Sequence, residues 1–211
     1  MSSLESLFIE ERAGGPFNVL TVCTGNICRS PLTEMLLRKT LHGLPTVIHS
    51  AGTQALTDNP MEEANQIIAN ELGVTDGHEH RARQLTREML EKADLVLALS
   101  REHRAAVVEL LPRASRRVYT LREFALLANS ANLAELSRSN AELAEDRMRD
   151  FVEEIAQRRG SIPAPDDLNE LDVIDPYGQG DEAYVESAGQ ITPAVKTIGE
   201  MLRRAAEMEA A

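Results

Sequence analysis

The sequence has only two cysteines, and none follows Cys28. A disulfide framework or a relay of thiols along the chain is therefore excluded. Zinc would need further ligands at fitting spacing, and His42, His49, His78, His80 and His103 do not pair with the cysteines in that way. Aromatic residues make up 3% of the chain, leaving few walls for a large aryl ligand. No apolar run is long enough to span a bilayer, so no membrane partner is expected. The first sixteen residues, MSSLESLFIEERAGGP, have neither a basic start nor a long apolar stretch. They read as no export signal, which makes a reducing cytoplasm the expected location and disfavours a structural disulfide. The balance of 22 Lys+Arg against 34 Asp+Glu gives a net charge of −12, which argues against nucleic acid as the main partner. The Gly-Lys-Ser/Thr triplet of a Walker loop does not occur. There is no internal repeat.

What is present is an alternation. Residues 1–15 read as a loosely held tail, and 16–211 as one domain. FNVLTV (17–22), TVIHS (46–50), DLVLAL (94–99) and RRVYTL (116–121) are short, apolar and strand-like. Helical patterns fall between them: LTEMLLRKTL to about Leu41, residues 60–72 closed by Gly73, 85–93, and 102–111 stopped by Pro112. Strands alternating with helices predict an α/β fold, an open parallel sheet covered by helices on both faces in three layers. From about 122 to 171 the alternation stops. The charged stretch 141–159, with apolar positions at Leu143, Met148, Phe151, Val152 and Ile155, reads as a solvated helical insertion rather than a partner-binding arm. Tyr184, Ala188, Ile191, Val195, Ile198 and Leu202 mark a last amphipathic helix, which Pro193 is expected to kink or break.

The chemistry concentrates in VCTGNICRSP (22–31), between the first strand and the first helix. In open parallel sheets, ligands collect at the carboxyl ends of strands. Ser30 and Pro31 read as an N-cap and a first-turn proline. Gly25 lets the backbone curl, and Asn26 tolerates a left-handed conformation. Amides from Thr24 through Gly25, Asn26, Ile27 and Cys28 to Arg29 can then point inward as an anion nest at a helix N-terminus. Arg29 adds a planar fork that suits two phosphate oxygens. Cys23 lies at the floor, where the field favours its thiolate and Ser30 can donate to it. A Cys-x5-Arg spacing alone is weak evidence, whereas the whole string in this setting is specific.

VCTGNICRSP resembles the signature of the low-molecular-weight protein tyrosine phosphatases of bacterial type. HSAGT (49–53), HRARQLT (80–86) and DPYG (175–178) resemble the supporting segments and late Asp-Pro motif of that family. The resemblance covers roughly 17–121 and 172–207; the stretch between is longer than the family's usual connection. It implies a sheet of four parallel strands with the phosphate-binding loop after the first. It further implies hydrolysis of protein phosphotyrosine through a cysteinyl-phosphate, with no metal or other cofactor. Cys23 would be the nucleophile, Arg29 the phosphate and transition-state ligand, and Asp175 the general acid that later activates water. Asp172 is the nearest rival acid but lacks a following proline. Asn26, Ser50 and His80 would brace the loop, the H-x-A-R-Q register favouring His80 over His78. Tyr177 would wall the cleft, and Leu56 falls at the specificity position. The resemblance also implies a reversible Cys23–Cys28 bond that protects the nucleophile; simple packing of Cys28 is the alternative. Phosphotyrosine proteins, and a cognate tyrosine kinase, are the partners it suggests.

Two other readings compete. An arsenate reductase of the same fold, coupled to a small-molecule thiol, needs only the loop cysteine; the thioredoxin-coupled type needs late cysteines that are missing here. A non-catalytic phosphate-binding scaffold has no use for a nucleophile and an acid together.

Overall fold

The computed structural model describes residues 15–131, 139, 141–161, 163 and 165–208. The expected tail falls almost wholly outside these residues, as do 132–138, 140, 162 and 164 of the expected insertion.

Four parallel strands form one sheet: β1 (Phe17–Cys23), β2 (Thr46–Gly52), β3 (Leu95–Ala98) and β4 (Val118–Thr120), in the order β2-β1-β3-β4. β1 is interior. Its register runs from Phe17 opposite Thr46 to Cys23 opposite Gly52 on one side, and from Val19 opposite Leu95 to Val22 opposite Ala98 on the other. Side chains of a strand alternate between faces, and the core divides accordingly. Phe17, Val19, Cys23, Leu95, Leu97 and Tyr119 pack on one face, and Leu20, Val22, Val96 and Val118 on the other. The near-continuous apolar runs are what a sheet covered on both faces requires.

The helices are α1 (Arg29–Thr40), α2 (Glu63–Glu71), α3 (Arg87–Lys92), α4 (Arg101–Leu110), α5 (Leu121–Asn129), α6 (Ala144–Arg158) and α7 (Asp181–Glu207). Leu90, Val107 and Leu111 bring α3 and α4 onto the second face; α1, α5, α6 and α7 supply the first.

Three expectations change. The alternation does not stop at 122, because β4 leads directly into α5. Thr120 Oγ1 accepts from Glu123 N at 3.1 Å, and Glu123 Oε2 accepts from Thr120 N at 3.1 Å, a reciprocal capping box. The signal Thr-x-x-Glu before an apolar run was present in the sequence. Second, α6 is no solvated insertion. Met148, Phe151, Val152 and Ile155 are buried in the main core, with the Phe151 ring edge-on to Phe124 at 6.2 Å. Arg159, just past its end, places its guanidinium 3.8 Å from the Tyr119 ring centroid and donates to the Ser115 and Val118 carbonyls. Leu143 alone of the five apolar positions is exposed, as it precedes the helix. Third, α7 runs unbroken through Pro193. It packs so closely on α1 that a Cβ at Gly199 would collide with the Thr40 side chain.

Candidate active site

The loop of residues 24–28 leaves the carboxyl end of β1 and enters α1 at Arg29. Its backbone carbonyls are all spoken for from outside the loop. Cys23 O accepts from Thr53 N at 2.9 Å, Thr24 O from Gln54 N at 3.0 Å, Gly25 O from Leu56 N at 3.0 Å and Ile27 O from Glu62 N at 2.9 Å. Asn26 O accepts from His80 Nε2 at 2.7 Å, and Cys28 O from Asn65 Nδ2 at 2.7 Å. Within a trans peptide the N–H points opposite the C=O. Six carbonyls turned outward therefore turn the N–H groups of residues 24–29 toward the loop's interior, an anion nest. Gly52 has no Cβ because Thr24 O lies where one would sit.

Asn26 holds this shape. Its φ is 57°, the left-handed region, where a non-glycine residue needs a brace to persist. Its side chain supplies one: Oδ1 accepts from Arg83 N at 2.8 Å, and Nδ2 donates to Ser30 Oγ at 2.9 Å and Ser50 Oγ at 2.8 Å. Ser50 in turn donates to the buried carboxylate of Glu34, which Arg38 and Arg83 flank, each at 3.5 Å.

Ser30 is not an N-cap. The helix begins one residue earlier, and the Ser30 hydroxyl lies 2.9 Å from Cys23 Sγ. That hydroxyl accepts from Asn26 Nδ2 and also lies 3.4 Å from Ala51 O, to which it can donate. Asn26 N also donates to Sγ at 3.3 Å. Cys23 is buried, with a second buried thiol five residues on. Burial, and next the neighbouring Cys23, push the Cys28 thiol up to about 12. Cys28 packs with Ile27, Ala82 and Tyr184.

Arg29 is 5% exposed, and the late segment closes over it. Its Nη1 donates to Val173 O at 3.2 Å and its Nη2 to Asp175 Oδ2 at 2.6 Å. Arg29 Nε is buried with no hydrogen-bond partner among the described residues. An orphaned buried donor of this kind is costly unless an anion takes it up. Asp175 is about half exposed, and its Oδ1 accepts from Tyr177 N at 3.2 Å. Tyr177 is exposed beside it, and Leu56 stands partly exposed next to Gly25. Asp172, the rival acid, has both oxygens engaged by Arg101. His80, not His78, reaches the loop; His78 is exposed and bonds Thr75 O. The structure thus brings every predicted site residue to one end of β1.

Sequence reasoning missed Glu34, Asn65, Arg101 and His103. His103 Nε2 lies 2.8 Å from Thr24 Oγ1, and its Nδ1 lies 2.8 Å from Ser100 Oγ. Ser100 also caps α4 by accepting from His103 N at 3.3 Å. No local pattern marks such residues, since their partners lie 16 to 79 positions away. Among the described residues no group of three His, Cys, Asp or Glu side chains gathers to hold a metal. Nor is any described helix long and apolar enough to cross a membrane.

A doubly covered parallel sheet, with a loop of inward amides beside a cysteine that ends its first strand, defines a class of α/β protein. A family model described as low molecular weight phosphotyrosine protein phosphatase matches residues 18–158. The chain belongs to that family. The low molecular weight protein-tyrosine-phosphatase Etp of Escherichia coli K12 is 44% identical over 96 residues, covering 45% of this chain and 62% of that protein. The protein-arginine-phosphatase of Geobacillus stearothermophilus is 30% identical over 147 residues, 68% of this chain and 96% of the relative. Among solved structures, Vibrio vulnificus Wzb in complex with benzylphosphonate superposes with a TM-score of 0.61 at 25% identity, over 88% of this chain and 99% of that one.

Proposed function

We propose that this protein hydrolyses phosphotyrosine in proteins through a cysteinyl-phosphate intermediate. The observation that carries the reading is the outward anchoring of all six carbonyls of residues 23–28, which leaves a ring of amides above the sulfur. Such a ring, fixed before substrate arrives, stabilises charge spread over the equatorial oxygens of a transferring phosphoryl group. Cys23 Sγ attacks phosphorus in line with the ester oxygen, which leaves as the P–O bond breaks. The Ser30 hydroxyl and Asn26 N–H converge on the sulfur. Arg29 offers its unpartnered Nε together with Nη2 to the phosphoryl oxygens. A phosphoryl group there takes over a donor that Asp175 otherwise holds. The Asp175 carboxyl is thereby released to face the ester oxygen. Asp175 then protonates the departing phenolate. In the second step the same carboxylate takes a proton from water, which displaces Cys23 and releases phosphate.

Tyr177 and Leu56 flank the entrance, and an exposed tyrosine beside the acid supports an aryl ester. The benzylphosphonate bound to the Vibrio protein likewise pairs an aromatic ring with a phosphorus oxyanion, though through carbon and not an ester oxygen. The relative described as an arginine phosphatase makes phosphoarginine the competing substrate. Phosphotyrosine proteins and the kinase that modifies them are the implied partners. A reducing compartment such as the cytoplasm would keep Cys23 and Cys28 as thiols, and oxidation would pair them.

The test is a series of aryl phosphates of rising leaving-group pKa, with phosphotyrosine and phosphoarginine peptides alongside. Cys23→Ser should abolish turnover yet still bind inorganic phosphate. Preferred cleavage of phosphoarginine would replace tyrosine as the substrate. Arsenate-dependent consumption of a small thiol without ester hydrolysis would sink the phosphatase reading.

A further inference from the structure

We propose that Arg101 is a positioning residue for Asp175, acting through a clamp on Asp172. The proposal deepens the reading of Asp175 as the acid and rests on it.

The segment 172–176, which carries Asp175, forms no strand or helix of its own. Its placement comes from ties to other elements: Asp172 is held by Arg101 and Arg122, and Ile174 N donates to Gln190 Oε1 of α7 at 2.9 Å. Oδ1 of Asp172 accepts from Arg101 N at 2.7 Å, and Oδ2 accepts from Arg101 Nε at 3.0 Å and Nη2 at 2.9 Å. The same Nη2 reaches Asn169 Oδ1 at 2.8 Å. Arg122 of α5 donates to Asp172 O at 3.0 Å, and Val173 N donates to Leu99 O at 2.9 Å. From there the chain crosses Arg29 and presents Asp175.

Arg101 is the first residue of α4, directly beyond the carboxyl end of β3. A helix start on a buried strand is a rigid mount, and a forked guanidinium fixes direction as well as distance. The Asp172 carboxylate also meets the backbone N–H at the N-terminus of α4, where negative charge is favoured. The acid must meet the leaving oxygen at hydrogen-bond range, and a displacement of about 1 Å at such a site costs roughly 100-fold. The clamp lies three residues from Asp175 and makes no contact with Cys23 or Arg29 among the bonds described. Its loss should therefore be felt by proton donation and not by phosphate binding.

The experiment compares Arg101→Met, Arg101→Lys and Asp172→Asn with wild type on p-nitrophenyl phosphate and phenyl phosphate. Asp175→Asn runs in parallel, and competitive inhibition by inorganic phosphate reports an intact cradle. A general acid contributes about 10²–10⁴-fold, mostly for poor leaving groups. Arg101→Met is expected to lower kcat/KM, which reports the step in which the leaving group departs, on phenyl phosphate by about tenfold or more. It should leave kcat/KM for p-nitrophenyl phosphate, and inhibition by phosphate, within about twofold. Arg101→Lys, which keeps charge without the fork, should restore only part of the loss, and Asp172→Asn should behave like Arg101→Met. Equal rates for both esters in Arg101→Met, beside a steep dependence in Asp175→Asn, would overturn the clamp alone. A flat response in Asp175→Asn would remove the acid and the clamp with it. Loss of phosphate inhibition in both Arg101→Met and Asp172→Asn would show a role in building the cradle, and would overturn the proposal.

Discussion

His103 sits behind the loop, where burial and then the Arg29 charge push its imidazole down to about 4 from an ordinary value of 6.5. It is therefore neutral at pH 7 and able to hold Thr24 through one nitrogen and Ser100 through the other. A base whose pKa is depressed by folding binds fewer protons folded than unfolded. Its contribution to stability is full above about 6.5 and is lost as the pH falls toward 4. From pH 7 to pH 5 that amounts to about 2 kcal/mol. Burial shifts His80 and His49 downward as well, so they act in the same sense. Urea unfolding at the two pH values should show His103→Gln losing less stability on acidification than wild type; identical losses would contradict the assignment. At this scale the sequence was legible where function compresses residues into one string. Cys23 to Arg29, and the pair Asp175-Pro176, could be read because the chemistry dictates both type and spacing. Glu34 could not. It occupies a buried helix position that periodicity assigns to an apolar residue, and only the fold shows Ser50 waiting opposite it.

Among the elements, the group formed by α5, α6 and α7 departs most from expectation. α6 carries acidic and basic side chains along its exposed side, with Arg149 paired to Asp146 and Asp94, and Arg158 to Glu154. That surface gives the segment a solvated look in the sequence. Its four core positions, Met148, Phe151, Val152 and Ile155, follow the 3.6-residue period and were visible. What they pack on was not visible, because Phe124 and the α7 face lie far off in the chain. The strands and the helices between β1 and β4 were read correctly because each is short and buried, and is punctuated by glycine, proline or a capping residue. Phe151 is 1% exposed and contacts Phe124 edge-on, so Phe151→Ala removes core volume that its neighbours cannot readily refill. The expected cost is about 3–5 kcal/mol in denaturant unfolding. A loss below about 1 kcal/mol would mean that α6 is peripheral after all.

Across the whole molecule, 34 acidic residues against 22 basic ones surround a pocket built for an anion. Short-range donors win inside the loop, but the approach is governed by the overall field, which reaches about 10 Å at 0.1 M salt. Basic phosphopeptides should therefore show a higher kcat/KM than acidic ones at low ionic strength, and the gap should narrow as salt rises. A salt-independent ratio would place the field too far from the entrance to matter. The sheet order has a quieter effect. β1 has a strand on either side, and the sulfur belongs to its last residue. That sulfur is thus fastened to an interior strand, the kind of element that opens last. Asp175 and Tyr177 ride on a segment outside the sheet, held in place by side-chain ties and not by a strand ladder. Mild heat should therefore displace Asp175, the proposed acid, before it displaces Cys23, the proposed nucleophile, which hydrogen exchange of the two segments would show.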